Sequence, residues 1–294
     1  MHHGQKEFKG YLLVLAGGAI WGTIGPFINF MANLGASSLL ISFLRMAFAF
    51  IIMLFITLYK FRLPALRIST KELIGCALLG LICHGIYNVF YTLAVTLTGV
   101  SISAVLLNIA PVFTALTTFI FLHEPMGKRK IIAFAINICG CILVATNDSI
   151  DSSSLSVTGI LYGIGAGLCY ALTAVIALLA GRKTNVFTMS TYSYFFAALF
   201  LAIYDAPWND NNLYKPELLW LGFLFALIPT AIAYLLYYQG VQYITETSLV
   251  PVLASVETLV AVVLGVLFFH DSLHLVSSIG IILVFFSIWL INKK

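Results

Sequence analysis

Glu257 stands in "SVETLVAV" (255–262), the single acid in a run from Leu249 to His270 that carries no Lys or Arg. An ionisable group at the centre of a membrane helix costs roughly 2.5–3.5 kcal/mol for Asp, Lys or Arg on insertion scales, so it faces a partner or a wet cavity. Two roles fit such a carboxyl: a hydrogen-bonding acid that fixes helix packing, or a group that takes up and releases a proton during transport. Arg45 is the only charge in the apolar run 39–59. It lies close enough to the outer end of its helix to snorkel or to pair with an acid in the bundle. The less common role would be to bind an anionic group such as a carboxylate.

A second set of residues is polar and aromatic. In "CHGIYNVFY" (83–91), His84, Tyr87, Asn88 and Tyr91 recur at spacings of three and four and share one helical face. Tyr234 and Tyr238, in "TAIAYLLYY" (230–238), repeat the Tyr87/Tyr91 spacing, and an aromatic box built from them would offer apolar walls, hydroxyls and a cation-binding face. Trp21 and Tyr170 lie in two Gly-rich segments whose G-x-x-x-G spacings (Gly18 and Gly22; Gly159, Gly163 and Gly167) allow close helix approach. Asn108, like Ser255, could line the same cavity. These nine side chains are the expected substrate-binding set. The plainer alternatives are an interfacial belt for Tyr91 and Tyr238, a satisfied packing residue for His84, and interhelical hydrogen bonding for Asn108.

The elements that must position them are membrane helices. Of 294 residues, 61% are hydrophobic and 9% charged, far from the balance of a soluble domain. Ten apolar stretches, near 10–31, 39–59, 73–95, 99–122, 128–146, 158–181, 187–204, 217–240, 246–270 and 274–291, are long enough as helices to cross about 30 Å of hydrocarbon. The first is too long and Gly-broken for a cleaved signal peptide. With the N-terminus inside, all Lys and Arg except Arg45 and Lys215 fall on the cytoplasmic side, which puts both termini there. The net charge of +4 therefore reports orientation, not nucleic-acid binding. Cys76, Cys83, Cys139, Cys141 and Cys169 all fall within these stretches without C-x-x-C spacing and read as buried thiols.

The chain also echoes itself. Residues 91–124 align with 238–271 at a shift of 147, bringing Tyr91 onto Tyr238, Ser101 onto Ser248, Asn108 onto Ser255 and His123-Glu124 onto His270-Asp271; Tyr87 meets Tyr234 and Gly75 meets Gly222. "KGYLLVLAGGAIW" (9–21) meets "TGILYGIGAGLCY" (158–170) at a shift of 149. Five spans per half is an odd number, so the second copy enters the membrane from the opposite side, a build used by secondary transporters with a midplane site between repeats. The expected fold is an all-α membrane protein with ten transmembrane helices as two inverted five-helix repeats, 1–147 and 148–294. Ala110 is the mate of Glu257, so the acid belongs to one half only.

"AIWGTIGPFI" (19–28), "FLR" (43–45) and "VPVLASVETLVAVVLGVLFFHD" (250–271) resemble the EamA-type branch of the drug/metabolite transporter superfamily. The resemblance implies ten helices in two five-helix repeats and the movement of small metabolites, amino acids among them. It departs from the usual pattern at Glu257-Thr258, where the family commonly has Glu-Pro, and helix 1 has no acid of the kind used by four-helix multidrug relatives.

Enzymatic readings fare poorly. "HEPMG" (123–127) has Gly where a zinc-protease motif needs its second His, and there is no phosphate-binding loop. The expectation is thus a non-enzymatic secondary transporter in the cell membrane, an exporter of an amino acid or similar metabolite, without metal or cofactor, as a monomer or homodimer in the bilayer. An organic-cation transporter is the alternative substrate reading, and a non-transporting scaffold the alternative class.

Overall fold

A computed structural model of the protein describes residues 2–98, 106–107, 110–123, 127–145, 156–181, 185–269 and 275–292. Among them the regular structure is all helical. In chain order the α-helices are α1 (His2–Trp21), α2 (Ile24–Asn33), α3 (Ser38–Phe61), α4 (Thr70–Leu78), α5 (Tyr87–Thr98), α6 (Ala110–Leu122), α7 (Lys128–Ala145), α8 (Val157–Gly181), α9 (Val186–Asp205), α10 (Pro216–Ala226), α11 (Ala233–Tyr243), α12 (Val250–Ala254), α13 (Val256–Phe269) and α14 (Leu275–Asn292). Six continuous stretches among the described residues are long and apolar enough to cross a membrane: Lys6–Asn33, Ser38–Phe61, Thr70–Ala94, Val157–Leu178, Val186–Asp205 and Pro216–Tyr243. Ala110–Phe121 and Ser278–Ser287 are shorter apolar helices. Large apolar side chains such as Phe55, Ile203 and Leu275 are exposed on the outside, as a bilayer solvent requires and water does not favour.

Several long helices are interrupted, each for a local reason. The expected span 10–31 is two helices, because Pro26 has no N–H for the carbonyl of Gly22 and its ring crowds that carbonyl. The turn is held instead by Thr23, whose N–H and hydroxyl both donate to Ile20 O, at 3.0 and 2.7 Å. Two π-helical segments, Leu79–Ile86 and Leu227–Ile232, join α4 to α5 and α10 to α11. Tyr87 N–H donates to Ile82 O and Ala233 N–H to Ile228 O, each five residues back. Under the 147-residue shift these two segments nearly coincide.

The expected span 246–270 is also broken, at Ser255. Its hydroxyl donates to Val252 O at 2.6 Å, a local bond that bends helices. Asn137 Nδ2 of α7 donates to Ser255 Oγ at 2.9 Å and to Ser287 Oγ of α14 at 3.1 Å, which pins the bend from two neighbouring helices.

Packing crosses between the halves of the chain. α1 lies against α11, α12 and α13, while α8 lies against α4, α5 and α6; α3 lies against α9, and α7 against α14. Exchanging the halves maps the contacts of α1 with α11 and α13 onto those of α8 with α5 and α6, and maps the α3–α9 and α7–α14 contacts onto themselves. Close approach needs small residues: a Cβ on Gly18 would sit 2.7 Å from Ala254 O, and one on Gly167 would sit 3.2 Å from Leu106 O. Cys76, Cys83 and Cys169 are buried as expected, but Cys139 is exposed on an apolar helix where lipid can cover it.

Gly22 is a tight point between α1 and α13, since an added Cβ would fall 2.5 Å from Val260 Cβ and 2.8 Å from Glu257 O. Gly22→Val is expected to lower stability by about 1–3 kcal/mol, the usual cost of overpacking. Gly25→Ala, which meets nothing within 4 Å, should stay within about 0.5 kcal/mol of wild type. Thermal unfolding in detergent measures both.

Candidate functional site

The interruptions converge on the residues that sequence patterning singles out. Trp21 is the last residue of α1 before its break; Tyr87 and Tyr234 follow the two π-helical segments; Glu257 lies in the first turn of α13, two residues past Ser255. Irregular backbone inside a membrane is tolerated where protein or a polar cavity satisfies it, and π-helical turns are frequent at functional sites.

Trp21 is buried, with its ring 4.7 Å from Tyr234, 4.9 Å from Tyr237 and 6.4 Å from Tyr170. Tyr170 in turn lies 6.1 Å from Tyr87, which stacks on Tyr91 at 5.9 Å. His84 is buried, with Nε2 2.9 Å from Tyr238 Oη and its ring edge-on to Tyr234 at 4.8 Å and Tyr194 at 5.3 Å. Thus Trp21, His84, Tyr87, Tyr91, Tyr170, Tyr234 and Tyr238 form one continuous aromatic cluster. Ring pairs at these separations gain about 0.5–1.5 kcal/mol beyond their burial, so the walls are rigid.

Asn88 is engaged in structure rather than turned to a cavity: Nδ2 donates to His84 O one turn back, and Oδ1 accepts from Ser42 Oγ at 3.4 Å. Asn108 lies outside the described residues. Tyr91 and Tyr238 belong to the cluster, and Tyr238 is fully buried, which an interfacial belt would not give.

Arg45 behaves differently from expectation. It neither snorkels nor pairs with an acid among the described residues. It is buried, its Nε donates to Thr230 Oγ1 at 2.8 Å, and its guanidinium lies 4.8 Å from the Phe225 ring centroid. The Thr230 hydroxyl donates its own proton to Phe225 O at 3.0 Å. That carbonyl is the one Pro229 leaves without an N–H partner, so Arg45 is fastened to the repair of a proline break. No other donor of the guanidinium forms a hydrogen bond among the described residues.

Glu257 is half-buried and makes no hydrogen bond or ion pair among the described residues. It is within electrostatic reach of Arg45, Tyr87, Tyr91, Tyr170 and Tyr234. A cation and an anion therefore border one aromatic cluster without bonding to each other, since the structure holds no Arg45–Glu257 contact within 4.0 Å.

Polar contacts also tie helix ends together at two places. At one, Lys130 Nζ meets Glu246 Oε2 at 2.9 Å and Ser248 Oγ at 3.2 Å. At the other, Lys215 Nζ donates to Leu34 O at 2.8 Å and Asn212 Nδ2 to Gly35 O at 3.0 Å. An open depression of about 480 Å³ lined by Ser37, Asp205, Asn209 and Asp210 lies in the loops at this second place, away from the aromatic cluster. No group of three or more His, Cys, Asp or Glu that could hold a metal occurs among the described residues.

The EamA-like transporter family model matches residues 8–146 and again 157–293, nearly the whole chain. The chain belongs to the EamA-like transporter family. It is 26% identical over 271 residues to an uncharacterized transporter of Archaeoglobus fulgidus, covering 92% of each chain. It is 24% identical over 215 residues to the uncharacterized transporter YwfM of Bacillus subtilis, covering 73% of this chain and 72% of that one. A crystal structure described only as that of a protein has the same fold, with a TM-score of 0.77, 14% identity and 96% of each chain covered. This EamA-like protein is a multi-pass membrane transporter.

Sequence patterning missed Tyr194, Tyr237 and Thr230. Tyr237 carried a usable signal, three residues after Tyr234, and Thr230 directly follows Pro229. Tyr194 carried none, because Ser190–Phe196 has polar and aromatic residues on every face. Thr230→Val, which removes the hydroxyl serving both Arg45 and Phe225 O, is expected to cost about 1–3 kcal/mol for the buried groups it strands. Thr230→Ser should recover most of that in the same detergent unfolding assay.

Proposed function

We propose that the protein is a ten-span secondary transporter of two inverted five-span repeats, residues 1–147 and 148–294, with both termini in the cytoplasm. It moves an α-amino acid across the cell membrane by alternating access, outward by the family resemblance. The exchange relation among the helix contacts and the two family-model matches support the repeats. The separated charges support the substrate. Arg45 and Glu257 share one aromatic cluster yet stay unpaired, and two opposite charges left apart in a low-dielectric site are costly unless a ligand completes them.

A zwitterion does so. Its carboxylate takes the unspent guanidinium donors of Arg45, its ammonium meets Glu257, and an apolar side chain contacts the rings. The tyrosine rings with Glu257 also favour a second reading, an organic cation held by cation–π contact. That reading leaves Arg45 without a counter-charge.

Glu257 is also the group that carries a coupling proton. When it is protonated the ammonium loses its partner, so proton uptake and amino-acid release are linked. In proteoliposomes, Glu257→Gln should abolish the dependence of amino-acid transport on an imposed pH gradient while leaving gradient-independent exchange; unchanged gradient dependence would discard the coupling role. Arg45→Gln should weaken amino-acid binding roughly 30-fold, a charge-assisted hydrogen bond of about 2 kcal/mol. It should leave amine binding intact; parallel loss of both would favour a purely structural arginine.

A further inference from the structure

Trp21 is 2% exposed, and its indole Nε1 has no hydrogen-bond partner in the structure. An indole can only donate, and a buried donor left unmade costs about 1–3 kcal/mol, so a native protein that keeps one has a reason for it. The surroundings make the case sharper. Three tyrosine rings, Tyr170, Tyr234 and Tyr237, lie within 6.4 Å of the Trp21 ring, yet none of their hydroxyls accepts from it.

The backbone holds the ring there. α1 stops at Trp21 because of Pro26, and Gly22, the next residue, is pressed against the backbone of Glu257. The indole is therefore fixed at the break, against Tyr234 with ring centroids 4.7 Å apart. An oxygen acceptor entering the aromatic cluster beside Tyr234 meets an unspent donor, the indole N–H.

We infer that the Trp21 indole N–H is a specificity-determining donor that binds a carboxylate oxygen of the substrate, selecting acids over amines of the same shape. The inference rests on the reading of this cluster as the transport site. Selection by a buried donor is strong because a ligand lacking the acceptor leaves the donor stranded.

Equilibrium binding to the purified full chain in detergent tests this with three probes that share one ring: L-phenylalanine, 3-phenylpropionate and phenethylamine. Trp21 is replaced by β-(3-benzothienyl)alanine, which keeps the shape of the indole and puts sulfur in place of N–H, and separately by Phe. The isostere should weaken L-phenylalanine and 3-phenylpropionate about tenfold, the size of one hydrogen bond to a charged group. It should leave phenethylamine unchanged, and Trp21→Phe should shift the probes in the same order.

Equal weakening of all three probes, or no change in any, overturns the role of the N–H. The amino-acid reading fails separately if wild type binds phenethylamine at least as tightly as L-phenylalanine, while selective loss of 3-phenylpropionate in the isostere would still uphold Trp21 as the carboxylate donor. Failure of L-phenylalanine to bind wild type overturns both.

Discussion

A chain inside hydrocarbon has no solvent to complete its hydrogen bonds, so every interruption of a helix must be closed by the protein itself. That constraint organises this molecule. Pro26 opens α1 and Thr23 closes the turn; Pro229 strands Phe225 O and the Thr230 hydroxyl reaches it; Ser255 bends the run between α12 and α13 and Asn137 holds the bend. The repairs at Thr23 and Thr230 lie within a few residues of a side chain in the aromatic cluster, and the one at Ser255 lies two residues from Glu257. The places where the backbone departs from regularity and the places where chemistry is available are the same places.

The repairs explain why the charges stay apart. Arg45 is committed through Nε to Thr230 and through its face to Phe225, so its position is set by α10 and the second π-helical segment rather than by an acid. Glu257 is set by the start of α13 and by the close contact with Gly22. Arg45 cannot turn toward an acid without undoing its buried hydrogen bond to Thr230. Burial of an uncompensated charge is costly, and under the zwitterion reading proposed above a ligand of both signs relieves that cost. The rings of the cluster come from α1, α5, α8 and α11, so both halves of the chain contribute to it.

Much of this is legible in the sequence. A lone acid and a lone base in apolar runs announce Glu257 and Arg45, and the three-and-four spacing of His84, Tyr87 and Tyr91 is enough to put them on one face. The constant shift between the halves pairs Tyr87 with Tyr234, and both indeed follow π-helical segments. What the sequence does not reveal depends on contacts distant in the chain. The partner of Arg45 is a hydroxyl 185 positions away, which no periodicity encodes. The break at Ser255 needs Asn137 from another helix, so the apolar run reads as one continuous span. Asn88 shares the face of Tyr87, yet it bonds backward to His84 O and sideways to Ser42, because an amide in an apolar bundle takes the nearest available partners.

The central claim is that the unpaired Arg45 and Glu257 define a site for a zwitterion, and thermal unfolding of the purified protein with a ligand panel tests it most directly. A ligand that binds the folded state at about 100 times its Kd adds roughly 2.7 kcal/mol of stability. Among α-amino acids, amines, nucleosides and sugar phosphates, the α-amino acids are expected to raise the unfolding temperature, and Arg45→Gln and Glu257→Gln are each expected to reduce the shift. Stabilisation confined to amines, or to phosphates, would contradict a zwitterion site.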